Sequence, residues 1–383
     1  MSATQKPSPS PRSINDWIRG WWSIQPVVIP VLALLLSFVV GGIIIAVVGV
    51  NPFAAYYWLV RGMFGSPSRI AGSVARSVPF VGSALALAIA LRAGLFNIGA
   101  EGQMLIGGLT AAWVGTWTWL ADVPAIGAIP IIIAAGFVGG GLWGAVPGVL
   151  RARTGAHEVI STIMLNSIAL LAVRWLVNSR DPIVLRDPTA SVPRTKVIAD
   201  TAVLPRMMSS NPPLHVGMFL LIALSVVVWV LLRKTTFGFA TITVGTNPHA
   251  AHYAGINVNW IIVASMTLAG GFAGLSAVSE VAGTYHYFQP GAFALLGFDG
   301  IAIALLARAN PLGILAASFL WGALRSGASL MQQQAEVSID VVRIIQAMVL
   351  LFVAADAIVR FVFRLRRDGE SAFVATETPA GLT

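Results

Sequence analysis

The sequence predicts an all-α, polytopic integral membrane protein, and two observations support that prediction. The 383-residue chain is 57% hydrophobic and only 10% charged, whereas soluble domains contain about 25% charged residues. The apolar residues also form long runs, and a helix needs about 20 such residues to cross the hydrocarbon core of a bilayer. Because a helix in lipid satisfies its own backbone hydrogen bonds, we expect these runs to be membrane spans.

About ten apolar runs fit as spans. They are expected near residues 27–50, 70–91, 95–120, 126–150, 159–177, 214–232, 260–281, 292–306, 312–330 and 341–363. The first run follows a polar tail and has no small-residue cleavage pattern, so we interpret it as an uncleaved span rather than a secretory signal. The expected division is an N-terminal tail at 1–26, a transmembrane domain at 27–364 and a C-terminal tail at 365–383.

The charges in the loops predict that both termini are cytoplasmic. In that orientation the short external loops hold only Arg61 and Arg69, residues 178–213 form a long external loop, and residues 233–259 form a cytoplasmic loop. The cytoplasmic side then receives Lys6, Arg12, Arg19, Arg92, Arg151, Arg153, Arg233, Lys234, Arg308, Arg360, Arg364, Arg366 and Arg367. This distribution follows the positive-inside rule. The formal net charge of +9 therefore reflects topology rather than nucleic-acid binding, since no basic cluster interleaves with aromatic residues.

A four-residue spacing of glycines predicts that two helices pack closely. The spaced positions lie on one side of the fourth span and recur in the seventh: Gly136, Gly140, Gly144, Gly148, Gly270 and Gly274. Small residues in such a row let two helix backbones approach each other. Packing within the chain is the main interpretation, and a dimer seam is the alternative.

Catalytic and metal-binding motifs are missing from the sequence. None of the three lysines completes the G-x-x-x-x-G-K-[ST] loop that holds nucleotide phosphates, so an ATPase that powers this chain must be a separate polypeptide. His157-Glu158 begins like a zinc-protease helix, but Ser161 stands where the second histidine belongs. There is no G-x-S-x-G motif and no cysteine. We expect a non-catalytic protein with no metal site and no cofactor of its own.

The cytoplasmic loop contains the signals of a short helix. Asn247 is a strong N-cap, Pro248 suits the first helical position, and Gly255 can end the helix in a left-handed conformation. A helix of about two turns is marginal alone in water, so we expect it to dock on another protein. Small side chains at Ala250, Ala251 and Ala254 leave room for close approach. A solvated helix on the membrane surface is the alternative.

Polar residues inside apolar spans mark a candidate transport pathway. Carboxylates within lipid tend to face a bundle interior or an aqueous cavity, which makes Glu101 and Asp299 functional candidates. The amides of Asn97, Gln103 and Asn166 suit a hydroxyl-rich solute and a base edge, and Phe96 and Phe298 could cover a flat ring. Each of these residues could instead brace helices. The break before them, at residues 92–97, is either a tight hairpin or a discontinuous helix.

Four stretches resemble the permease subunits of bacterial ATP-binding-cassette (ABC) importers, in the branch for ribose-type sugars, branched-chain amino acids and nucleosides. Three of them, at 94–103, 154–166 and 297–311, are most similar to nucleoside permeases. The fourth is the Asn-Pro-x-Ala-Ala element at 247–251, and the similarity extends from about residue 51 to 361. The sequence departs from the pattern at His157, where an Asn-like residue is expected.

The resemblance implies an import function and a set of partners. It implies nucleoside uptake by alternating access in the bacterial inner membrane, with ATP and Mg²⁺ bound by a separate ATPase subunit. An external binding protein would deliver the solute, and a second permease, related or identical, would complete the membrane part. The implied pathway residues are Phe96, Asn97, Glu101, Gln103, Glu158, Asn166, Phe298 and Asp299, and the implied ATPase-coupling residues are Asn247, Pro248, Ala250, Ala251 and Gly255.

Two alternatives to this function remain open at this point. The first is the same kind of importer carrying a simple sugar such as ribose. The second is a secondary transporter or channel that uses an ion gradient, with Glu101 or Asp299 as the ion site. The capped cytoplasmic helix argues against the second alternative.

Overall fold

The structure, a computed structural model, describes residues 14–354 and confirms the all-α prediction. The helices in this range are α1 (Ile14–Val47), α2 (Pro52–Phe64), α3 (Pro67–Arg92), α4 (Ala100–Gly115), α5 (Ala125–Thr154), α6 (Glu158–Asn178), α7 (Gly217–Lys234), α8 (Thr236–Thr246), α9 (Pro248–Tyr253), α10 (Val258–Glu280), α11 (Leu296–Leu306), α12 (Pro311–Ala335) and α13 (Ile339–Ala354). A π-helical turn, Val281–Tyr285, continues α10. Two short strands, β1 (Arg206–Met208) and β2 (Leu214–His215), pair antiparallel.

Seven of the described helices are long and apolar enough to cross a membrane. The crossing segments are Pro30–Val47, Pro67–Arg92, Ala125–Thr154, Glu158–Asn178, Gly217–Lys234, Val258–Tyr285 and Pro311–Ala335. Each coincides with a predicted span. The predicted third and eighth spans differ, because α4 has 16 residues and α11 only 11. At 1.5 Å per residue they are about 24 and 16 Å long, short of the roughly 30 Å hydrocarbon core.

Several boundaries correct the sequence prediction. The third span was expected from residue 95, but its helix begins at Ala100 after a non-helical segment; the eighth was expected from 292 and begins at Leu296. Two helices, α2 and α8, were not predicted, although Asn51 and Thr235 cap their N-termini. The helix of the first span begins at residue 14 rather than 27. The described part of the predicted tenth span is α13, whereas its residues from 355 and the predicted tail at 365–383 lie outside the described residues.

The chain divides into two compact units. Among the described residues, one comprises 14–43 and 344–354, and the other comprises 44–343. In the first unit, Ala33 of α1 and Phe352 of α13 form a small apolar cluster with the half-buried side chains Leu32, Leu36, Val40, Met348 and Val353. The second unit contains α2 to α12 and all the predicted site residues.

Helices α3 to α5 and α10 to α12 form two sets with corresponding contacts, and α10 runs antiparallel to both α3 and α5. Helix α5 packs along α10, and in the same way α3 packs along α12. Helix α4 contacts α10, and correspondingly α11 contacts α3. Contacts that correspond in this way between two sets of helices are expected of inverted repeats, which many transporters contain. At one end of the second unit lie the last residues of α3, α5 and α7, with Arg92, Arg151 and Arg233. We call this the basic end.

Residues 179–216 cover the opposite end, which we call the capped end. The N–H of Ala199 donates to the carbonyl of Gly115 at the end of α4. The N–H of Leu204 donates to Ala282, and that of Ile198 donates to His286, just beyond α10. The predicted long loop is therefore an ordered cover attached by backbone hydrogen bonds to the segment that leads into α11.

The spaced glycines form the contact between α5 and α10. A methyl group added to Gly140 would overlap the carbonyl oxygen of Gly270, and one added to Gly274 would overlap that of Gly136. The two backbones are therefore in direct contact along this row. Packing within the chain, the main interpretation of these glycines, is confirmed.

Enlarging one of these contact glycines should destabilise the protein. We expect Gly140→Ala to lower the free energy of unfolding by about 1–3 kcal/mol, because the neighbouring carbonyl cannot move away cheaply. The matched control is Gly313→Ala in α12, where the nearest atoms to an added methyl lie 3.5 Å away. Thermal midpoints of detergent-purified variants measure both effects. Equal midpoints for the two variants would contradict the close contact.

Candidate functional site

Helices α4 and α11 both begin inside the bundle, and their N-termini meet. Gly102 lies against Asn166, about 12 Å along α6 from its start at the basic end. Gly300 lies against Ser83, about 14 Å from the end of α3. Gly297 in turn lies against the backbone of Glu101. The break at 93–99 is therefore a discontinuity within the bundle, which resolves the alternative that the sequence left open.

The carboxylate of Glu101 joins the two helix starts. Its Oε1 accepts a hydrogen bond from the N–H of Leu295 at 2.9 Å, and its Oε2 accepts one from Gly297 at 2.8 Å. The first N–H groups of a helix have no partner within the helix, and the helix dipole favours an anion there. Glu101 also lies in the first turn of α4. One negative charge thus stabilises the N-termini of both short helices.

Asn97 and Gln103 form a closed pair of amides. The Nδ2 of Asn97 donates to Oε1 of Gln103 at 3.0 Å, and the Nε2 of Gln103 donates back to Oδ1 of Asn97 at 3.2 Å. The N–H of Gly99 also donates to Asn97 Oδ1. The two amide side chains are 0% and 1% exposed. In this structure they hold the non-helical segment in place and point away from any open surface.

Two side chains of α6 attach that helix to the break. Asn166 accepts from the N–H of Gly102 at 2.8 Å and donates to the carbonyl of Ile98 at 2.9 Å. Glu158 accepts from the N–H of Phe96 at 3.4 Å, and its other oxygen lies 3.5 Å from Nε of Arg151. The predicted pathway residues of the first two motifs are therefore brought together around the start of α4.

The third motif lies on a partly open surface. Phe298 is 39% exposed, and the carboxylate of Asp299 lies 3.8 Å from the guanidinium of Arg325 on α12. The exposed fractions of the two charged side chains are 24% and 27%. Charges inside the membrane are costly in lipid, so a partly exposed ion pair is expected to face water or protein. Arg325 was not among the predicted site residues, although a charged residue within an apolar run is itself a signal of a functional site.

A further buried charge lies near this ion pair. Glu280, at the end of α10, is only 8% exposed and interacts electrostatically with Arg76 of α3 and with Arg325. The arginine of α12 therefore lies between carboxylates of two different helices. Four helices thus contribute charged groups to the same region of the second unit.

The predicted cytoplasmic helix is present as α9. The Oδ1 of Asn247 accepts from the N–H of Ala250 at 3.0 Å, Pro248 begins the helix, and Gly255 has a φ of 79°. The orientation of Ala251 corrects our expectation. It is 0% exposed and packs inward, so it cannot contact a partner directly. The side chain that extends outward is Tyr253, which is 91% exposed and was not predicted.

Helix α8 connects α9 to the break. A methyl group added to Gly245, near the end of α8, would overlap the carbonyl oxygen of Arg92 and lie 2.7 Å from the nitrogen of Gly94. Gly94 itself has a φ of 71°, a conformation that glycine adopts without strain. Helix α8, which leads into α9, therefore contacts the end of α3 and the beginning of the break through its backbone.

Comparisons with known proteins agree with the resemblance in the motifs. A family model described as branched-chain amino acid transport system / permease component matches residues 69–354. The chain is 38% identical over 352 residues to the guanosine ABC transporter permease protein NupP of Bacillus subtilis, covering 90% of this chain and 98% of that protein. No solved structure matches the chain at a significant level.

Two further relatives cover most of their own length. The nucleoside ABC transporter permease protein NupB of Lactococcus lactis is 34% identical over 359 residues, which are 92% of this chain and 96% of that protein. The glucose ABC transporter permease protein TsgB13 of Haloferax volcanii is 32% identical over 332 residues, 84% of this chain and 86% of that protein.

Removal of the amide of Asn166 should destabilise the start of α4. Asn166→Ala leaves the N–H of Gly102 and the carbonyl of Ile98 without this partner, and we expect a loss of about 1–3 kcal/mol. Asn178→Ala, an exposed position on the same helix, is the matched control. Proteolytic cleavage within residues 93–99 measures the local effect. Equal cleavage of the two variants would argue against the brace.

Proposed function

The chain belongs to the family of branched-chain amino acid transport system permease components, and on that basis we propose that it is the membrane-spanning subunit of an ABC importer for nucleosides. Permeases of this family are transport components of the membrane, and we propose that this chain does not itself catalyse a reaction. The observation that carries the proposal is the overall similarity to two permeases named for guanosine and for nucleosides, at 38% and 34% identity. Both relatives are matched over nearly their whole length.

The alternative substrates have weaker support. A permease named for glucose is 32% identical and matches less of its own length, 86% against 98% for the guanosine permease. An ion-gradient transporter is disfavoured by the family and by α9, whose exposed surface suits a docking partner. Nucleosides also suit the site, since Phe298 offers an exposed ring that a base could stack on.

The eight predicted pathway residues fall into two proposed roles. We assign solute contact to the partly open surface around Phe298 and Asp299, with Arg325 added. Five others support the break, because their hydrogen bonds are directed to the backbone or to one another. They are Asn97, Glu101, Gln103, Glu158 and Asn166. Phe96 lies within the break and is half-buried, so it suits either role.

The proposed mechanism transmits movement from α9 to the site. A separate ATPase subunit, which binds ATP and Mg²⁺, would grip the exposed surface of α9 at the cytoplasmic side. Displacement of α9 and α8 would reach the start of α4 through the contact of Gly245 with Gly94. Glu101 would transmit this displacement to α11, since its carboxylate binds N–H groups at the start of that helix. The Phe298 surface would then face one side of the membrane or the other.

The remaining partners follow from the same proposal. An external binding protein would dock at the capped end, where residues 179–216 are hydrogen-bonded to the segment before α11. A second permease, related or identical, would complete the pathway, because the partly exposed ion pair of Asp299 and Arg325 requires water or protein beside it.

Competition for uptake tests the substrate class. Cells that express the importer should take up radiolabelled guanosine, and unlabelled adenosine should reduce that uptake more strongly than ribose or glucose at equal concentration. Stronger competition by ribose would favour the sugar alternative. Uptake that persists without the ATPase subunit but collapses with the ion gradient would favour a secondary transporter.

Neutralising Glu101 should impair transport while leaving the protein assembled. Glu101→Gln replaces one accepting oxygen by an NH₂ group that cannot accept from Leu295 or Gly297, and charge-assisted hydrogen bonds contribute about 1.5–3 kcal/mol each. We expect nucleoside uptake to fall about tenfold or more. Asp122→Asn, an exposed carboxylate at the capped end, is the control and should transport normally. Unchanged uptake by Glu101→Gln would exclude the linking role.

The exposed tyrosine of α9 should bind the ATPase subunit. Tyr253→Ala is expected to reduce recovery of the ATPase with the purified permease, since large exposed aromatic side chains often dominate interfaces. Trp119→Ala removes an exposed aromatic from the capped end and should leave recovery unchanged. If the two variants recover equal amounts of ATPase, docking through α9 is wrong.

A further inference from the structure

A groove at the basic end combines two arginines, a tryptophan and a helix start. Its lining residues are Arg92, Trp229, Leu232, Arg233, Ile242, Asn310 and Pro311, and its cavity volume is about 100 Å³. The groove lies between α3, α7, α8 and the start of α12, apart from the Phe298 surface. We propose that it binds the phosphate group of an anionic phospholipid from the cytoplasmic leaflet.

The groove carries positive charge without a counter-charge. Among the described residues, neither Arg92 nor Arg233 forms an ion pair. Arg92 donates to the carbonyl of Ala309 at 3.5 Å, and the guanidinium of Arg233 lies 5.8 Å from the ring centre of Trp229. Each guanidinium retains further N–H donors, and guanidinium groups match the geometry of phosphate oxygens. The 25-residue helix α12 also begins here, and its dipole favours an anion at this end.

The turn that forms one wall of the groove is strained. Arg308 and Ala309 are consecutive non-glycine residues with φ values of 50° and 52°. Left-handed conformations in such residues cost free energy and tend to occur at functional sites. This turn presents the carbonyl that Arg92 contacts and leads directly to Asn310 and Pro311. The strain therefore lies in the part of the chain that shapes the groove.

An apolar stripe on α7 identifies a lipid rather than a soluble phosphate. Ile222, Val226 and Val230 are 39%, 45% and 40% exposed, and their four-residue spacing puts them on one face of the helix. Arg233 continues that face at the end of α7. From Ile222 to Arg233 the helix rises about 16 Å, close to half of a 30 Å hydrocarbon core. A phosphate in the groove would thus have its acyl chain beside this stripe.

The position of Trp229 agrees with a lipid headgroup site. Tryptophan is enriched where the hydrocarbon core meets the headgroups, because its ring is apolar and its N–H is polar. Trp229 is half-buried, about one turn before Arg233 and next to Val230, the last residue of the apolar stripe. Basic grooves between helices on the cytoplasmic side are suited to anionic lipid headgroups.

Native mass spectrometry of the purified full chain tests this site with defined lipids. The probes are phosphatidylglycerol and phosphatidylcholine with identical acyl chains. We expect the wild type to retain phosphatidylglycerol about tenfold more strongly. The double variant Arg92→Gln/Arg233→Gln should retain the two lipids about equally. The single variant Arg233→Gln should show a partial loss, and it changes an exposed side chain that makes no hydrogen bond within the part of the chain that the structure describes.

A matched control separates the groove from general surface charge. Arg153→Gln/Lys234→Gln removes the same charge from the same end of the bundle and should keep the preference for phosphatidylglycerol. A loss equal to that of the groove variant would overturn the proposal. So would displacement of the lipid by millimolar inorganic phosphate, which would indicate a soluble anion. Unchanged lipid retention with reduced ATPase recovery would instead make the groove a protein-docking surface.

Discussion

The central constraint on this fold is that a helix beginning inside a membrane-spanning bundle has first N–H groups with no partner in that helix. Helices α4 and α11 both begin in this way, and their N-termini face each other. The structure meets the constraint with the carboxylate of Glu101, which belongs to the first turn of one helix and accepts hydrogen bonds from the start of the other. Around it, Asn166 binds the N–H of Gly102 and the carbonyl of Ile98, and Asn97 pairs with Gln103 and accepts from the N–H of Gly99.

This arrangement connects the two ends of the molecule. At the basic end, α8 rests on the break through Gly245, so movement of α9 has a direct route to α4. At the capped end, the cover over the bundle is hydrogen-bonded to His286 and Phe288, which lead into α11. Meanwhile the glycine contact between α5 and α10 provides a rigid frame. The half-helices therefore lie where signals from an ATPase and from an external binding protein would meet.

Much of this could be predicted from the sequence, and the failures have physical reasons. Seven spans followed from hydropathy, and α9 followed from Asn247, Pro248 and Gly255, because caps are local signals. The lengths of α4 and α11 could not be predicted, since apolar composition does not show where a helix starts when polar side chains elsewhere satisfy its N-terminus. The inward orientation of Ala251 could not be predicted either, because tertiary packing determines it. The sequence found Glu101 but not its partners, the N–H groups 194 and 196 residues away.

The most direct test of the account is amide hydrogen exchange at the start of α11. In the wild type, the amides of Leu295 and Gly297 should exchange slowly, because each donates to Glu101. In Glu101→Ala they should exchange much faster, whereas amides in the middle of α12 should be unaffected. Equal exchange at Leu295 and Gly297 in both proteins would contradict the claim that this carboxylate holds the two half-helices together.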